Sequence, residues 1–437
     1  MIRFPNTYGA GLRARLGIAA CAAMLLWAPP LLAAEPFPSE AAKPEAFTLT
    51  VDEAMALFLS QNLDLLMAQY GVDSAKGLEV TSKLFPNPTL SADMTGSTTK
   101  SFHDVGSLGM RLDQLFELAG KRGYRQDSAR FAVLSAEAAF ADAVRTLGFA
   151  VKDTFYHVLQ AKQKLDLARQ NSTNFADVVK INDIRFKKGV IAEVDLIKLR
   201  VQLVDFQNQA ITANQDFLIA QNTLKGLLRV RPMAELVLKG ELDYTAVALD
   251  LEGLRAAALV ARPDVLAKTR NVSQKDANLK LARAFRVPDV TLGGDYGIQG
   301  PQGPNTPNQY GFGLSVPLPL FNRNQGGILQ AEADLRTAQT DLEKTRLQVE
   351  IDVENAYRDF TQAQMLVTAY RGGVVNDAKE AKDIATKAYQ RGGTSILDLL
   401  DAFRTFNTTM QGYIDALYAY QRSLLEIDAA VGREVTR

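Results

Sequence analysis

Val290-Thr291-Leu292-Gly293-Gly294-Asp295-Tyr296-Gly297-Ile298 and Tyr310-Gly311-Phe312-Gly313-Leu314-Ser315-Val316-Pro317-Leu318 are the two runs that decide the fold. In the first, Val290, Leu292, Tyr296 and Ile298 share one face and Thr291, Gly293, Asp295 and Gly297 the other. In the second, Tyr310, Phe312, Leu314, Val316 and Leu318 oppose Gly311, Gly313, Ser315 and Pro317. A period of two marks a strand, and the Gly, Pro and Asn of 300–309 join the two strands as a hairpin. Strands of about ten residues with one apolar and one polar face are long enough to cross a bilayer at a tilt. A hairpin resting on a protein core alternates in the same way. Two features favour lipid. Aromatic residues gather at two levels, Phe85, Phe116, Phe285 and Phe321 at one end and Tyr296, Tyr310 and Phe312 nearer the other. Small residues dominate the polar face, which suits a lumen better than a core.

The same pattern occurs earlier in the chain. Leu90, Ala92 and Met94 alternate with Thr89, Ser91, Asp93 and Thr95, and Leu108, Met110 and Leu112 with Ser107, Gly109, Arg111 and Asp113. The flanking sequence repeats with it. Pro86-Asn87-Pro88-Thr89-Leu90 returns as Pro288-Asp289-Val290-Thr291-Leu292, and Phe186-Lys187-Lys188-Gly189 with Asp195 returns as Tyr389-Gln390-Arg391-Gly392 with Asp398. The offset stays near roughly 200 residues, which makes one large unit duplicated and not a solenoid.

Each unit is mostly helix. Apolar residues at helical spacing (Ala54, Leu57, Phe58, Leu65, Leu66) predict a helix from Asp52 to about Lys83, ended by Pro86 and Pro88. After each hairpin an alanine-rich pattern without a break predicts a helix of about 65 residues, about 100 Å long, and hence coiled-coil packing. A glycine-bearing turn and a returning helix of about 38 residues follow. The helix before the hairpin and the returning helix together match the long one in height, so each unit can form two columns, with 230–250 at the mid-height joint. The expected organisation is a signal peptide at 1–34, a first repeat at 35–240 (hairpin 88–117, long helix 122–187, return helix 192–229) and a second at 241–437 (hairpin 288–320, long helix 326–390, return helix 395–431).

The N-terminus carries a basic stretch (Arg3, Arg13, Arg15), an apolar run from Leu16 to Trp27 and small residues at Ala33-Ala34, the layout of a secretory signal. The single cysteine, Cys21, lies inside it. Ile18-Ala19-Ala20-Cys21 resembles a lipobox, but the apolar run continues past Cys21, which favours a conventional signal peptide. A mature chain without cysteine forms neither disulfides nor a thiolate metal site. With 49 basic and 49 acidic residues the composition does not suggest a nucleic-acid binder. His103 and His157 are the only histidines, too few for a stable transition-metal site. No nucleophile–base arrangement, phosphate loop or cofactor motif is present, so neither catalytic residues nor a cofactor is expected.

Four strands per chain form an open sheet whose unpaired edge groups cost several kcal/mol each in lipid. Copies of the chain must therefore share a barrel. Two, three or four copies give about eight, twelve or sixteen strands, all within the range of known barrels. Signal peptide, duplicated helix–hairpin–long helix–return helix, Phe85-Pro86-Asn87-Pro88, Glu117-Leu118-Ala119-Gly120-Lys121-Arg122 and Tyr389-Gln390-Arg391-Gly392 with Ser395 and Asp398-Leu399-Leu400 together resemble the TolC-type outer-membrane efflux proteins, most of all the cobalt–zinc–cadmium resistance branch. Ala119 departs from that branch, which often has a second glycine there. The resemblance implies a mainly α protein with membrane β-structure: a homotrimer with a shared twelve-stranded barrel in outer-membrane lipid and a helical coiled-coil tunnel across the periplasm. It also implies a periplasmic adaptor (membrane fusion) protein and an inner-membrane, proton-driven RND-type pump as partners, with heavy-metal cations as cargo.

Within that resemblance Asp398 and Asp401 match an acidic ring at the periplasmic mouth, a pore gate that attracts cations. Three residues apart, they share one helix face. Ser395 with Asp398 also fits a capping box, so Asp398 has a structural reading of equal weight. Lys188, Gly189 and Val190, with Arg391, Gly392 and Gly393, form the two turns that the resemblance makes the adaptor-docking tips; the plainer reading is that glycine permits the turn. A duct of the same fold for drug efflux or type I protein secretion, and a periplasmic coiled-coil scaffold without a channel, are the competing readings.

Overall fold

The computed structural model describes residues 46–96, 105–299 and 308–436. The signal peptide, Cys21, His103 and both hairpin loops lie outside the described residues. The elements run β1 (Ala46–Leu49), α1 (Val51–Gln61), α2 (Leu63–Ser82), β2 (Thr89–Gly96), β3 (Val105–Phe116), α3 (Lys121–Lys187), α4 (Glu193–Leu227), β4 (Glu235–Leu238), α5 (Leu251–Ala261), α6 (Pro263–Ala284), β5 (Val290–Gln299), β6 (Gln309–Ser315), α7 (Gln325–Ala369), α8 (Val375–Gln390) and α9 (Ile396–Val431).

The helix expected from Asp52 to Lys83 is two helices. Asn62 is extended (φ −64°, ψ 131°); its Oδ1 accepts from the Asp64 and Leu65 amides, and its Nδ2 donates to Leu227 O at 2.8 Å. It ends α1, caps α2 and pins the joint to the end of α4. The second repeat breaks at Arg262, before Pro263, by different chemistry. The buried Arg262 guanidinium bridges Asp264 (2.6 Å), Asp352 (2.8 Å) and Ala430 O, holding α6, α7 and the end of α9 together. Burial opposes ionisation of Asp264, but hydrogen bonding and charge from Arg262 outweigh it and hold the carboxyl below its ordinary range.

The second long helix, expected unbroken from 326 to 390, is interrupted by a π-turn at Tyr370–Val374, where Gly373 takes φ +128°. Glycine accepts that conformation without a Cβ clash. Tyr370 packs against α9, where a Cβ on Gly412 would stand 2.3 Å from its hydroxyl. The strand expected to reach Leu318 ends at Ser315, because Pro317 and Pro319 have no N–H for the ladder. The segment 230–250, expected to be non-helical, contains β4, which pairs in parallel with β1.

α3, at 67 residues, is about 100 Å long and packs on α2, α4, α6 and α9. The larger core lies near mid-height, where Phe58, Phe155, Leu224, Leu228 and Tyr420 are fully buried. A second core lies towards the α3–α4 and α8–α9 turns. There Phe175 packs on Phe206 and Phe403 at ring distances of 5.1 and 5.3 Å, with Leu199, Ile396 and Leu399 around them.

At the other end β2, β3, β5 and β6 form one antiparallel sheet in that order. The register aligns Leu90, Leu112, Gly294 and Phe312 across one row and Ala92, Met110, Tyr296 and Tyr310 across the next. Among the described residues nothing covers this apolar face: Leu90, Met94, Leu112, Tyr310, Phe312 and Leu314 are all exposed. The two repeats meet where the sheet joins the helices. Buried Lys121 donates to Val287 O (2.6 Å) and to Asp289 (2.7 Å), which also accepts from the Leu118 amide. The preceding turn holds Ala119 at φ 55° and Gly120 at φ 70°. An alanine in the left-handed region is strained by about 1 kcal/mol relative to glycine.

Candidate functional site

The turns and the acidic pair are built by helix-end chemistry. Lys188 ends α3, Gly189 turns left-handed at φ +72°, and the amides of Gly189 and Val190 bond to Phe186 O (2.8 Å) and Arg185 O (2.9 Å). At the second turn Gly392 takes φ +77°, and the amides of Gly392 and Gly393 bond to Tyr389 O (3.1 Å) and Ala388 O (2.9 Å). Both are Schellman motifs. Lys188, Gly189, Val190, Arg391, Gly392 and Gly393 are all exposed, and a Cβ at either Gly189 or Gly392 would meet nothing within 4 Å.

The two turns lie side by side. Arg185 donates to Gln390 O at 2.6 Å and stacks over the Tyr389 ring, while the Tyr389 hydroxyl donates to Asn182 at 3.0 Å. Burial raises the pKa of that hydroxyl, so it stays a donor. Asp183 accepts from Lys187 (2.6 Å) and from Arg200 of α4 (2.8 Å), and these hydrogen bonds hold its carboxyl below the ordinary range.

Asp398 occupies the third position of α9. Its Oδ2 accepts from Thr394 Oγ1 (2.7 Å), Ser395 Oγ (2.7 Å) and the Ser395 amide (3.1 Å), and Ser395 Oγ accepts from the Asp398 amide in return. The capping box is complete, and its hydrogen bonds depress the Asp398 pKa. Asp401 stands outside the cap. Ile396, Leu399, Leu400 and Phe403 turn one face of α9 into the core, which leaves both aspartates on the exposed face.

Sequence reasoning missed a set of polar residues between the helices. Arg404 donates to Gln202 (2.7 Å), Asn407 to Gln209 (3.0 Å) and Asn171 to Asn407 (2.9 Å), which joins α3, α4 and α9 just beyond the phenylalanine cluster. The available signal was amide residues at positions in phase with the buried stripe. His157 sits against Tyr418 at a ring distance of 5.6 Å, in an open cleft between α3, α4 and α9 that Asp153, Gln160 and Lys164 also line. Among the described residues no group of three or more His, Cys, Asp or Glu is placed to hold a metal ion, and no helix is long and apolar enough to cross a membrane.

Hairpins with an uncovered apolar face, set on a helical body that folds back at two capped turns, define a class: the fold is that of solved outer-membrane channels. CusC, solved in work on folding and transmembrane channel formation, superposes with a TM-score of 0.74 at 19% identity over 90% of this chain and 95% of its own. The open-state MtrE channel of Neisseria gonorrhoeae gives 0.73 at 20% identity over 89% and 90%. The chain belongs to the outer membrane efflux protein family, whose profile matches residues 54–228 and 254–433. It is therefore an outer-membrane efflux channel component and not an enzyme. Among curated relatives, the cobalt-zinc-cadmium resistance protein CzcC of Cupriavidus metallidurans is 26% identical over 91% of this chain and 92% of its own length.

Proposed function

We propose that three copies of this chain form a passive duct that carries heavy-metal cations out of the cell. The observation that carries this reading is the sheet: four strands with an apolar face that is exposed and two edges, β2 and β6, that no strand among the described residues covers. In lipid such edges are satisfied only by pairing β6 of one copy with β2 of the next. Three copies close a twelve-stranded barrel, as the family resemblance implies. The helices support the same assembly. Val194, Ile197, Val201, Val204 and Ile211 form a heptad stripe along α4, each half or more exposed, a seam that a neighbouring subunit's helix covers.

The helices extend from the barrel into the periplasm. The exposed turns at Gly189 and Gly392 dock a periplasmic adaptor, which couples the duct to a proton-driven inner-membrane pump. Asp398 and Asp401 line the constriction at that end, and there they concentrate cations and narrow the passage. The likeness to CzcC supports metal cations as cargo. Likeness to the pyoverdine export protein OpmQ of Pseudomonas putida, 27% identical over 77% of this chain, supports an organic cargo as the second reading. Growth of a deletion strain, with and without the restored gene, separates them. Sensitivity to cobalt, zinc or cadmium that the gene reverses is the expected result. Sensitivity to organic compounds alone removes the metal assignment and leaves the duct.

A further inference from the structure

We infer that Arg111, Asp113 and Asp295 form a cation-selecting belt on the barrel wall, a selectivity element separate from the acidic pair at the periplasmic end. The inference rests on the duct reading, which turns the polar face of the sheet to the lumen. On that face Arg111 stands opposite Asp295, Asp113 opposite Gly293, and Asp295 opposite Gly311. Arg111 Nε donates to both Asp113 oxygens at 2.9 Å.

The glycines of β5 and β6 are the seats of these charges. A Cβ on Gly293 would lie 2.2 Å from Asp113 Oδ1 and 2.7 Å from Arg111 Nη2. A Cβ on Gly313 would lie 3.2 Å from Arg111 Nη2, and one on Gly311 2.7 Å from Asp295 Oδ2. The guanidinium of β3 therefore reaches across β5 to β6, and the carboxylate of β5 lies over β6. Residues with side chains at these three positions would lift the charges off the wall into the passage. With glycine there, the charges lie flat and the lumen stays wide.

The sign of the belt follows from its membership. Arg111 and Asp113 neutralise each other at contact, and Asp295 adds a carboxylate with no second cation in the set. Asp93 stands one polar-face row nearer the hairpin loops, aligned with Gly109, Gly297 and Gln309, and adds to the same sign. Repeated around a trimer, the wall carries a net negative ring. In a water-filled lumen bounded by low-dielectric walls, such a ring raises the local concentration of hydrated inorganic cations and lowers that of anions. It involves no metal-coordination set.

The test is the cation-to-anion permeability ratio of the full-length protein in planar bilayers under a KCl gradient. Asp295→Asn keeps the side-chain volume and lowers the ratio about twofold, and Arg111→Gln raises it by a similar factor. Both differences vanish near 1 M salt, where screening contracts to about 3 Å. Asp295→Asn channels with the conductance and ratio of the unmodified protein overturn the belt and leave the duct standing; this variant decides the matter should Arg111→Gln fail to assemble. Failure of the unmodified protein to form channels at all defeats the duct reading, and the belt with it.

Discussion

Asp398 and Asp401 sit one helical turn apart on the same exposed face, yet their chemistry differs. Asp398 is committed to its cap, and its depressed pKa keeps it charged below the ordinary aspartate range. A lowered folded-state pKa means that the cap's contribution is present above the unfolded value and is lost as pH falls through the folded one. Removing Asp398 therefore takes away both a charge and the reciprocal half of the capping box, with Ser395 Oγ still accepting from the backbone amide at 398, whereas removing Asp401 takes away a charge alone. Asp401→Ala is expected to raise single-channel conductance and weaken block by multivalent cations, with the trimer equally resistant to heat. Residual block in that variant, carried by Asp398, persists on acidification below the ordinary aspartate range. Unchanged conductance and block would remove Asp401 from the gate. The capping box was legible in Ser395 and Asp398 because its partners are neighbours in sequence. Arg404, Asn407, Gln202 and Asn171 were not, because their partners lie on other helices: the phase they share with the buried stripe marks their face but not their pairing.

At the scale of elements, the strands, the long helices and both turns were legible from periodicity and from Gly189 and Gly392. Period-two alternation and left-handed glycine are local physics, set by residues a few positions apart. The breaks were harder to read. Asn62 caps α2 through its own neighbours while its Nδ2 bond to Leu227 O fixes the break against α4, and the π-turn at Tyr370–Val374 rests on Gly373 at φ +128° beside Tyr370, which packs on α9. The parallel pairing of β1 with β4 joins segments that no short-range signal connects. The tips give a sharper expectation. Because a Cβ at Gly189 or Gly392 meets open space, alanine there is strained only through its positive φ, by about 1 kcal/mol. Gly189→Ala is expected to leave the trimer assembled with near-normal efflux. Gly189→Trp or Gly392→Trp is expected to leave the trimer assembled and abolish efflux in a growth assay. Full resistance with tryptophan at both turns would detach the adaptor from them.

For the whole molecule, two cores and the four-stranded sheet divide the work. The mid-height core and the phenylalanine cluster tie the four columns of helix together within one chain. Lys121 with Asp289 locks the two repeats where helix gives way to strand. The four-stranded sheet is the part left open among the described residues: its apolar face is exposed, its other face carries charge, and its edges β2 and β6 have no strand beside them. The number of copies was not legible in the residues, since two, three or four close a barrel of allowed size; the family resemblance supplies three. The most direct measurement is the protein mass of the detergent-extracted particle by light scattering. The account predicts three chains per particle and precipitation when detergent is withdrawn. A monomer that stays dissolved in water without detergent would contradict it.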